Sequence, residues 1–266
     1  MTERAESVES VEQLASAWRG IVLDRGDGAD VRDLPGIAVR WADSRFVFWN
    51  CVTLTEPDTD PELTAQRLAQ AADIMRAKRH PGFLWLFEDL LGDAARATLE
   101  RTVGRAGFAY AFSGSGMAGD LLPFPEPGHP DLTFTRVTDE ERLGAFADLN
   151  AGAYGFAPED VREGLLGSTF WKSGAHAWIG LRAGTPVTCA AAVEVDGRLF
   201  VALVATDPQW QHRGYGEAVT RKVLYEAHRV TGLTRAVLHA TPAGAPVYER
   251  IGFRPNSPVH FYALKD

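Results

Sequence analysis

The alternation of apolar and polar positions is most regular in the second half of the chain. Three strands are predicted there, joined by Ala-Gly-Thr-Pro and Asp-Gly turns: residues 175–182, 187–195 and 199–205. Apolar residues then recur at helical spacing from Val219 to Val230, and Gly232 is a typical helix C-cap. The pattern ends with a strand, a short helix and a last strand: residues 235–239, residues 245–251 and the segment through Tyr262. This order is typical of an α/β domain.

The segments before these strands follow the same two periods less regularly. Residues 132–137 read as a strand. Residues 139–150 then read as a helix, with Thr138 as its N-cap and Glu141 at the capping-box position. Pro158 opens a second short helix. In the first half, the predicted elements are two strands, a helix, a third strand and another helix: residues 36–41, 46–52, 61–78, 82–87 and 93–104.

A proline-rich segment separates the two halves. Residues 122–130 hold four of the 15 prolines, and such a segment cannot form a helix or an interior strand. It favours extended polyproline II backbone, which is typical of a linker. We therefore predict a first domain over residues 1–122, a linker over 123–130 and a second domain over 131–266.

A glycine loop connects the strand at 199–205 to the long helix that follows. Its sequence is Gln211-His212-Arg213-Gly214-Tyr215-Gly216. Glycines let the main chain approach phosphate oxygens, and the free N–H groups and dipole of a helix start attract anions. The spacing differs from the Gly-x-Gly-x-x-Gly of dinucleotide-binding folds and lacks the Gly-Lys of mononucleotide P-loops. The loop therefore predicts a phosphate site of another kind.

Two motifs in this order resemble the GNAT N-acetyltransferase superfamily. Residues 211–216 are similar to its pyrophosphate-binding loop. Tyr248-Glu249-Arg250-Ile251-Gly252-Phe253 is similar to its second signature, a helix that ends in Gly-Phe before the last strand. The predicted strand at 235–239 lies between the two motifs. The resemblance covers the second half and implies an α/β GNAT fold there, with a mixed, mostly antiparallel, splayed sheet flanked by helices.

The first half contains one echo of the same pattern. Arg105-Ala106-Gly107-Phe108 again reads as a helix end followed by Gly-Phe and a strand, but no Gln-x-x-Gly-x-Gly precedes it. This half reads either as a smaller, degenerate GNAT-like repeat or as an α/β cap of unrelated origin. We expect the repeat, without a cofactor loop.

The resemblance implies acetyl-CoA as co-substrate and no metal. The cofactor would lie where residues 199–205 splay from residues 235–239. The main chain of Leu203, Val204 and Ala205 would hold its pantetheine arm and polarise the thioester carbonyl. The pyrophosphate would contact the glycine loop, whose residues are Gln211, His212, Arg213, Gly214, Tyr215 and Gly216. The alternative for the polar side chains of this loop is simple solvation.

Tyr248 is the catalytic candidate. In the resembled family, a tyrosine at this place before Gly-Phe donates a proton to the departing coenzyme A thiolate. A phenol pKa of about 10 and a thiol pKa near 8.5 are close enough for that transfer as the bond breaks. Otherwise Tyr248 packs one face of a short helix. The family often has an asparagine seven residues earlier; here Thr241 stands there, and its hydroxyl or the following turn would supply the cofactor contact.

The general base and the acceptor site are less defined. A protonated amine must lose a proton before it attacks. Glu194 and His239 are candidates for the base, although both also fit structural roles and a water chain would serve as well. Acceptor contacts are expected from Tyr154, Phe156 and Trp171, which with nearby acidic residues suit a cationic or amphiphilic amine. The same aromatics also fit a hydrophobic seam against the first half.

Composition narrows the class of partner. Hydrophobic residues make up 45% and charged residues 23%, as in ordinary globular proteins. The formal charge is −8, and residues 1–130 hold 13 Lys+Arg against 20 Asp+Glu. An acidic surface disfavours nucleic acid and anionic membranes; it serves solubility or steers a cationic substrate. Cys51 and Cys189 have no metal-ligand spacing and read as buried thiols. No segment reads as a signal peptide or membrane span, so we expect a cytoplasmic protein. We expect it to be a monomer or a homodimer.

Three functional hypotheses follow. The first is an acetyl-CoA-dependent N-acetyltransferase that acts on a primary amine of a small molecule or peptide. The second is a non-catalytic acyl-CoA-binding or regulatory module. The third is a transferase of the same fold for longer acyl chains or hydroxyl acceptors. The loop glycines and Tyr248 together favour catalysis over binding alone.

Overall fold

The computed structural model describes residues 3–57 and 60–265. The chain divides into two compact units. The first unit consists of Met1–Met117, Ala240–Pro242 and Pro255–Asp266, and the second of Ala118–His239 and Ala243–Arg254. Each unit is therefore built from segments that are distant in sequence.

Helices and strands alternate along the chain. The helices are α1 (Glu3–Leu23), α2 (Pro61–Arg76), α3 (Asp93–Ala97), α4 (Leu99–Ala106), α5 (Glu140–Tyr154), α6 (Pro158–Leu165), α7 (Tyr215–Thr231) and α8 (Ala245–Ile251). The strands are β1 (Asp30–Leu34), β2 (Ile37–Trp41), β3 (Asn50–Leu54), β4 (Phe83–Phe87), β5 (Phe108–Asp120), β6 (Thr133–Arg136), β7 (His176–Arg182), β8 (Thr185–Val195), β9 (Arg198–Thr206), β10 (Arg235–Ala240) and β11 (Arg254–Leu264).

The first unit is a sheet of strand order β1-β2-β3-β4-β11-β5. β3 and β4 are parallel and are connected through α2, whereas β1–β2, β2–β3 and β4–β11 are antiparallel pairs. One hydrophobic core joins Trp41, Leu68, Leu86, Phe108 and Tyr262. Because Tyr262 belongs to this core, the last strand of the chain stabilises the first unit.

The second unit is a sheet of strand order β6-β7-β8-β9-β10, followed by the end of β5. β9 and β10 are parallel and are connected through α7, whereas β6–β7, β7–β8 and β8–β9 are antiparallel pairs. This topology is the mixed, mostly antiparallel sheet that the resemblance implies.

Neighbouring residues of β8 identify the helix that covers each face of this sheet. The Cys189 thiol lies 3.3 Å from the Asn150 side-chain amide, on α5. The Thr188 hydroxyl lies 2.9 Å from that of Thr206, and a Cβ added at Gly216 of α7 would lie 3.3 Å from the same Thr206 oxygen. Since successive side chains of a strand point to opposite faces, α5 covers one face and α7 the other.

The elements of residues 37–120 repeat the order of those of residues 185–264. β2, β3, α2, β4, α4 and β5 follow one another as β8, β9, α7, β10, α8 and β11 do. In both series the second and third strands are parallel, and the second helix ends at a glycine with positive φ, 94° at Gly107 and 116° at Gly252. A smaller α/β unit of the same order thus precedes the second, as predicted.

The structure differs from the predicted elements and boundaries at several points. The helix α1 and the strand β1 were not predicted. The N-cap of α5 is Asp139, whose side chain accepts the Arg142 N–H, and not Thr138. The division at 122–131 also differs from the compact units, because β11 pairs with β4 in the first unit and the proline-rich segment lies within the second.

Candidate active site

The parallel strands β9 and β10 pair over only part of their length. Pairing runs from Leu199–Ala236 through Phe200–Val237 to Val201–Leu238 and ends there. β9 nevertheless continues to Thr206. The main chain of β9 after Val201 is therefore not paired on this side, and a gap opens where the splay was predicted.

A β-bulge lies in β9 at the start of the gap. Ala191 pairs with Ala202 and Cys189 pairs with Ala205, so that one extra residue of β9 lies between the two pairs. Leu203 has a φ of 53°, in the left-handed region that a leucine rarely adopts. Bulges of this kind re-aim main-chain groups and are frequent next to active sites.

The carbonyl groups of the bulge are held by side chains on the α5 side. The Tyr154 hydroxyl donates to the Val204 carbonyl at 2.9 Å, and the Cys189 sulfur lies 3.8 Å from the Leu203 carbonyl oxygen. A trans peptide directs its N–H opposite to its C=O. The Val204 N–H therefore points away from Cys189 and β8, toward the side from which β10 has diverged. A main-chain donor is thus available to a ligand in the gap.

The glycine loop after β9 has left-handed backbone at two residues. Gly214 is the N-cap of α7 with a φ of 80°, and His212 has a φ of 61°. The 3.3 Å left between a Cβ at Gly216 and the Thr206 hydroxyl is tighter than ordinary contact. Since the first N–H groups of a helix have no intrahelical partner, the start of α7 presents donors and the positive end of its dipole.

The side chains of the loop divide into exposed and buried groups. Gln211, His212 and Arg213 are exposed, and the Gln211 amide donates to the Thr206 carbonyl at 3.4 Å. Tyr215 is buried, and its hydroxyl donates to Asp131 at 3.3 Å. Tyr215 can therefore offer a ligand its main chain but not its side chain.

Tyr248 lies on α8, one turn before the glycine that ends the helix. Its side chain is only 9% exposed and packs edge-on against Phe253. Among the described residues, none hydrogen-bonds its hydroxyl. Burial raises the pKa of Tyr248, and the neighbouring Tyr154 raises it further. The hydroxyl is therefore protonated at neutral pH and can act as an acid.

The residues predicted to contact the acceptor are only partly brought together. Phe200 pairs with Val193, on the face covered by α5, and the His239 ring lies 5.5 Å from the Phe200 ring. Tyr154 ends α5, and its ring lies 6.5 Å from that of Phe156. Tyr154, Phe156 and His239 thus share the face opposite α7.

Trp171 and Glu194 do not join this group. Trp171 is 1% exposed and stacks on Phe146, so it is a core residue. Glu194 is exposed and pairs with Leu199 at the start of β9. That position is five residues before Val204, or about 17 Å along a strand. Glu194 therefore lies too far from the bulge to remove a proton there.

Thr241 lies in the turn after β10. It is exposed and belongs with Ala240 and Pro242 to the first unit. Within residues 3–57 and 60–265, no group of three or more His, Cys, Asp or Glu side chains is arranged to hold a metal ion. In the same residues, no helix combines the length and hydropathy needed to cross a bilayer.

A family model covers the strands, the loop and the helices that form this site. Residues 173–255 match the model of the acetyltransferase (GNAT) domain. Residues 173–255 belong to the GNAT superfamily. The sequence resemblance is thereby confirmed for these residues, and the GNAT domain is that of an acyltransferase. No curated protein matches the sequence significantly.

Solved GNAT structures are similar over most of the chain. A GCN5-related N-acetyltransferase from Kribbella flavida is 20% identical over 95% of this chain and 95% of its own, with a TM-score of 0.69. One from Sphaerobacter thermophilus is 15% identical over 86% and 76%, with a TM-score of 0.59. A tandem GNAT protein from the clavulanic acid biosynthesis pathway is 11% identical over 80% and 74%, with a TM-score of 0.51. At these identities the likeness shows the fold, and the tandem case is consistent with a GNAT-like first unit.

Sequence reasoning missed one part of the site in this GNAT domain, the contact of the proline-rich segment with the glycine loop. The His129 Nε2 atom lies 3.1 Å from the Arg213 carbonyl oxygen, and its Nδ1 atom accepts the Asp131 N–H at 3.2 Å. Since Nδ1 accepts, Nε2 carries the proton and donates to the loop. The His129 ring also packs edge-on against Tyr215 at 5.0 Å. The sequence signal that could have indicated this contact was the presence of His129 and Asp131 at the end of the segment.

Proposed function

We propose that the protein is an acetyl-CoA-dependent N-acetyltransferase that acts on a primary amine of a small molecule or peptide. The observation that carries this proposal is the sequence of groups along β9. A bulge with an outward N–H is followed within ten residues by a glycine loop that starts a 17-residue helix. A thioester and a pyrophosphate, joined by a pantetheine arm, are the groups of acetyl-CoA that fit these two positions.

In this proposal the start of α7 binds the pyrophosphate of acetyl-CoA. The N–H groups after Gly214 donate to phosphate oxygens, and the exposed side chain of Gln211 adds a further donor. The pantetheine arm then runs along β9 into the gap left by β10. The Val204 N–H donates to the thioester carbonyl and stabilises the oxyanion that forms during attack.

The chemical step needs one attack and two proton transfers. The amine nitrogen attacks the thioester carbon, an N–C bond forms, and the C–S bond breaks. Tyr248 gives its hydroxyl proton to the departing thiolate, and burial keeps that proton in place until then. The amine proton leaves on the face of the sheet opposite α7, where His239 or a neighbouring water molecule accepts the proton.

A thiol-release assay tests the reaction and its alternatives. Acetyl-CoA is mixed with a panel of amines and matched alcohols, and free coenzyme A thiol is measured. Amine-dependent release supports the proposal. Release with alcohols only, or only from longer acyl-CoA donors, would establish the related transferase instead. Binding of acetyl-CoA without release from any donor would leave a binding module.

Gly214→Glu tests the assignment of the loop. A carboxylate at this N-cap would occupy the place of the pyrophosphate and repel it. We expect acetyl-CoA to raise the melting temperature of the wild type, because a ligand of the native state stabilises it by mass action, and to leave that of the variant unchanged.

Gly232→Glu is the matched control for this substitution. Gly232 ends the same helix with a φ of 74°, so the variant carries the same added charge and a similar backbone strain. It should keep the full thermal shift relative to its own melting temperature. A full shift in Gly214→Glu would remove the loop from the cofactor site.

A further inference from the structure

Two arginines stack on one tryptophan immediately before the glycine loop. The Arg182 guanidinium lies 4.4 Å from the centre of the Trp210 ring, and the Arg213 guanidinium lies 5.1 Å from it. Arg182 ends β7, and Trp210 precedes Gln211. The ring itself is half-buried against the apolar cluster that contains Val187 and Tyr215. The tryptophan thus anchors two cations beside the loop.

The described residues neutralise neither guanidinium. Among the described residues, no carboxylate lies within ion-pair distance of Arg182 or Arg213. Arg221 and Arg250 of the second unit, by contrast, share Glu217. The acid nearest in sequence to the stack is Asp207, and its carboxylate accepts the Gln209 N–H. In a chain of net charge −8, two uncompensated arginines on one ring form a local positive site.

Among the described residues, none accepts a hydrogen bond from either guanidinium, although the Arg182 Nε atom is itself buried. An arginine that lies over an aromatic ring is held by its face, while its N–H groups point outward in the plane. A phosphate accepts such N–H pairs in bidentate geometry. We call the cluster of Arg182, Trp210 and Arg213 the arginine clamp. Its chemistry suits a phosphomonoester better than an uncharged or apolar group.

We propose that the arginine clamp binds the 3′-phosphate of coenzyme A. This inference rests on the proposed function, which places the pyrophosphate at the start of α7. From there the pantetheine arm enters the gap beside β9. The adenosine end must therefore leave the loop on the side that faces away from the gap. The ribose 3′-phosphate is only one sugar away from the pyrophosphate. Arg213, within the loop, and Arg182, held to it through Trp210, are the uncompensated cations there.

Affinity for coenzyme A and for dephospho-coenzyme A tests the clamp directly. The two ligands differ only in the 3′-phosphate, so their ratio of dissociation constants isolates its contribution. We expect wild-type protein to bind dephospho-coenzyme A about 10- to 100-fold more weakly, as measured by titration calorimetry at fixed ionic strength. Arg182→Gln should weaken coenzyme A by about tenfold and leave dephospho-coenzyme A unchanged.

Arg229→Gln is the matched control. Arg229 also stacks on an aromatic ring, that of Tyr225 at 5.7 Å, but it lies at the other end of α7 and pairs with Glu226. Its removal should change neither dissociation constant. Equal affinity of the wild type for the two ligands would overturn the clamp alone, as would an unchanged ratio in Arg182→Gln. Failure of both ligands to bind would overturn the clamp together with the proposed cofactor site.

Discussion

At the scale of single residues, the site depends on where two tyrosine hydroxyls are held. Tyr154 donates to the Val204 carbonyl and so fixes the bulge, whereas the Tyr248 hydroxyl has no hydrogen-bond partner among the described residues. Burial raises the pKa of both, so that neither ionises at neutral pH. The motif before Gly-Phe allowed Tyr248 to be predicted. The hydrogen bond from Tyr154 to the Val204 carbonyl was not predicted. That carbonyl is accessible because of the β-bulge, and no residue pattern in the sequence indicates a bulge there.

Tyr248→Phe should lower turnover and leave acetyl-CoA affinity nearly unchanged. The substitution removes only the hydroxyl that protonates the thiolate, and the ring still packs against Phe253. A loss of about ten- to a hundredfold in kcat corresponds to the lower end of general-acid effects. Tyr225→Phe, on α7, is the control and should have wild-type kcat. Wild-type turnover in Tyr248→Phe would make Tyr248 a packing residue.

The raised pKa of Tyr248 also predicts how stability depends on pH. In the unfolded chain this tyrosine ionises near pH 10, whereas the folded protein retains its proton. Above about pH 10 the unfolded state therefore binds fewer protons, and the free energy of unfolding falls by up to about 1.4 kcal/mol per pH unit from this group. Denaturant unfolding from pH 8 to 11 should show a steeper fall in the wild type than in Tyr248→Phe. Parallel pH curves would contradict a buried, protonated Tyr248.

At the scale of elements, the glycine loop is held from both sides. Thr206 contacts it from β9, and the proline-rich segment contacts it through His129 and Asp131. The sequence predicted α7, β10 and α8 closely, since their periodicity and glycine caps are local signals. It could not predict that the segment predicted as a linker packs on the loop, because that contact joins residues 84 positions apart. Prolines predict the local backbone conformation of a segment but not its tertiary contacts.

His129→Ala should weaken acetyl-CoA binding without preventing it. The variant loses the N–H that donates to the Arg213 carbonyl, so the loop is less ordered before it binds phosphate. One such hydrogen bond corresponds to about a two- to tenfold change in the dissociation constant. Calorimetric titration measures the change, and His129→Gln, which can restore the donor, should recover part of it.

His228→Ala provides the comparison for His129→Ala. The His228 ring also hydrogen-bonds a main-chain carbonyl, that of Leu233 at 2.8 Å, but at the other end of α7. It should bind acetyl-CoA as the wild type does. An equal loss of affinity in both variants would indicate general destabilisation of the helix rather than a specific hold on the loop.

At the scale of the whole molecule, two units of the same element order differ at the point where a cofactor would bind. The second unit has a glycine N-cap at α7, whereas the first has Asp60 at α2, whose carboxylate accepts the Glu62 and Leu63 N–H groups at 2.9 Å. The repeated order was indicated in the sequence by a second Gly-Phe motif, Gly107-Phe108. The placement of β11 in the first unit was not, because local patterns give strands but not their partners.

We predict that one chain binds one molecule of acetyl-CoA. The connection from β3 to α2 spans residues 55–60 and contains no glycine but includes Glu56, Asp58 and Asp60. The helix start that would receive a pyrophosphate is thus already capped by the Asp60 carboxylate, which repels a second anion. Titration calorimetry of the full chain should give a stoichiometry of one, and Gly214→Glu should reduce it to zero. A stoichiometry of two, or a residual site in Gly214→Glu, would show that the first unit has kept a cofactor site built without glycines.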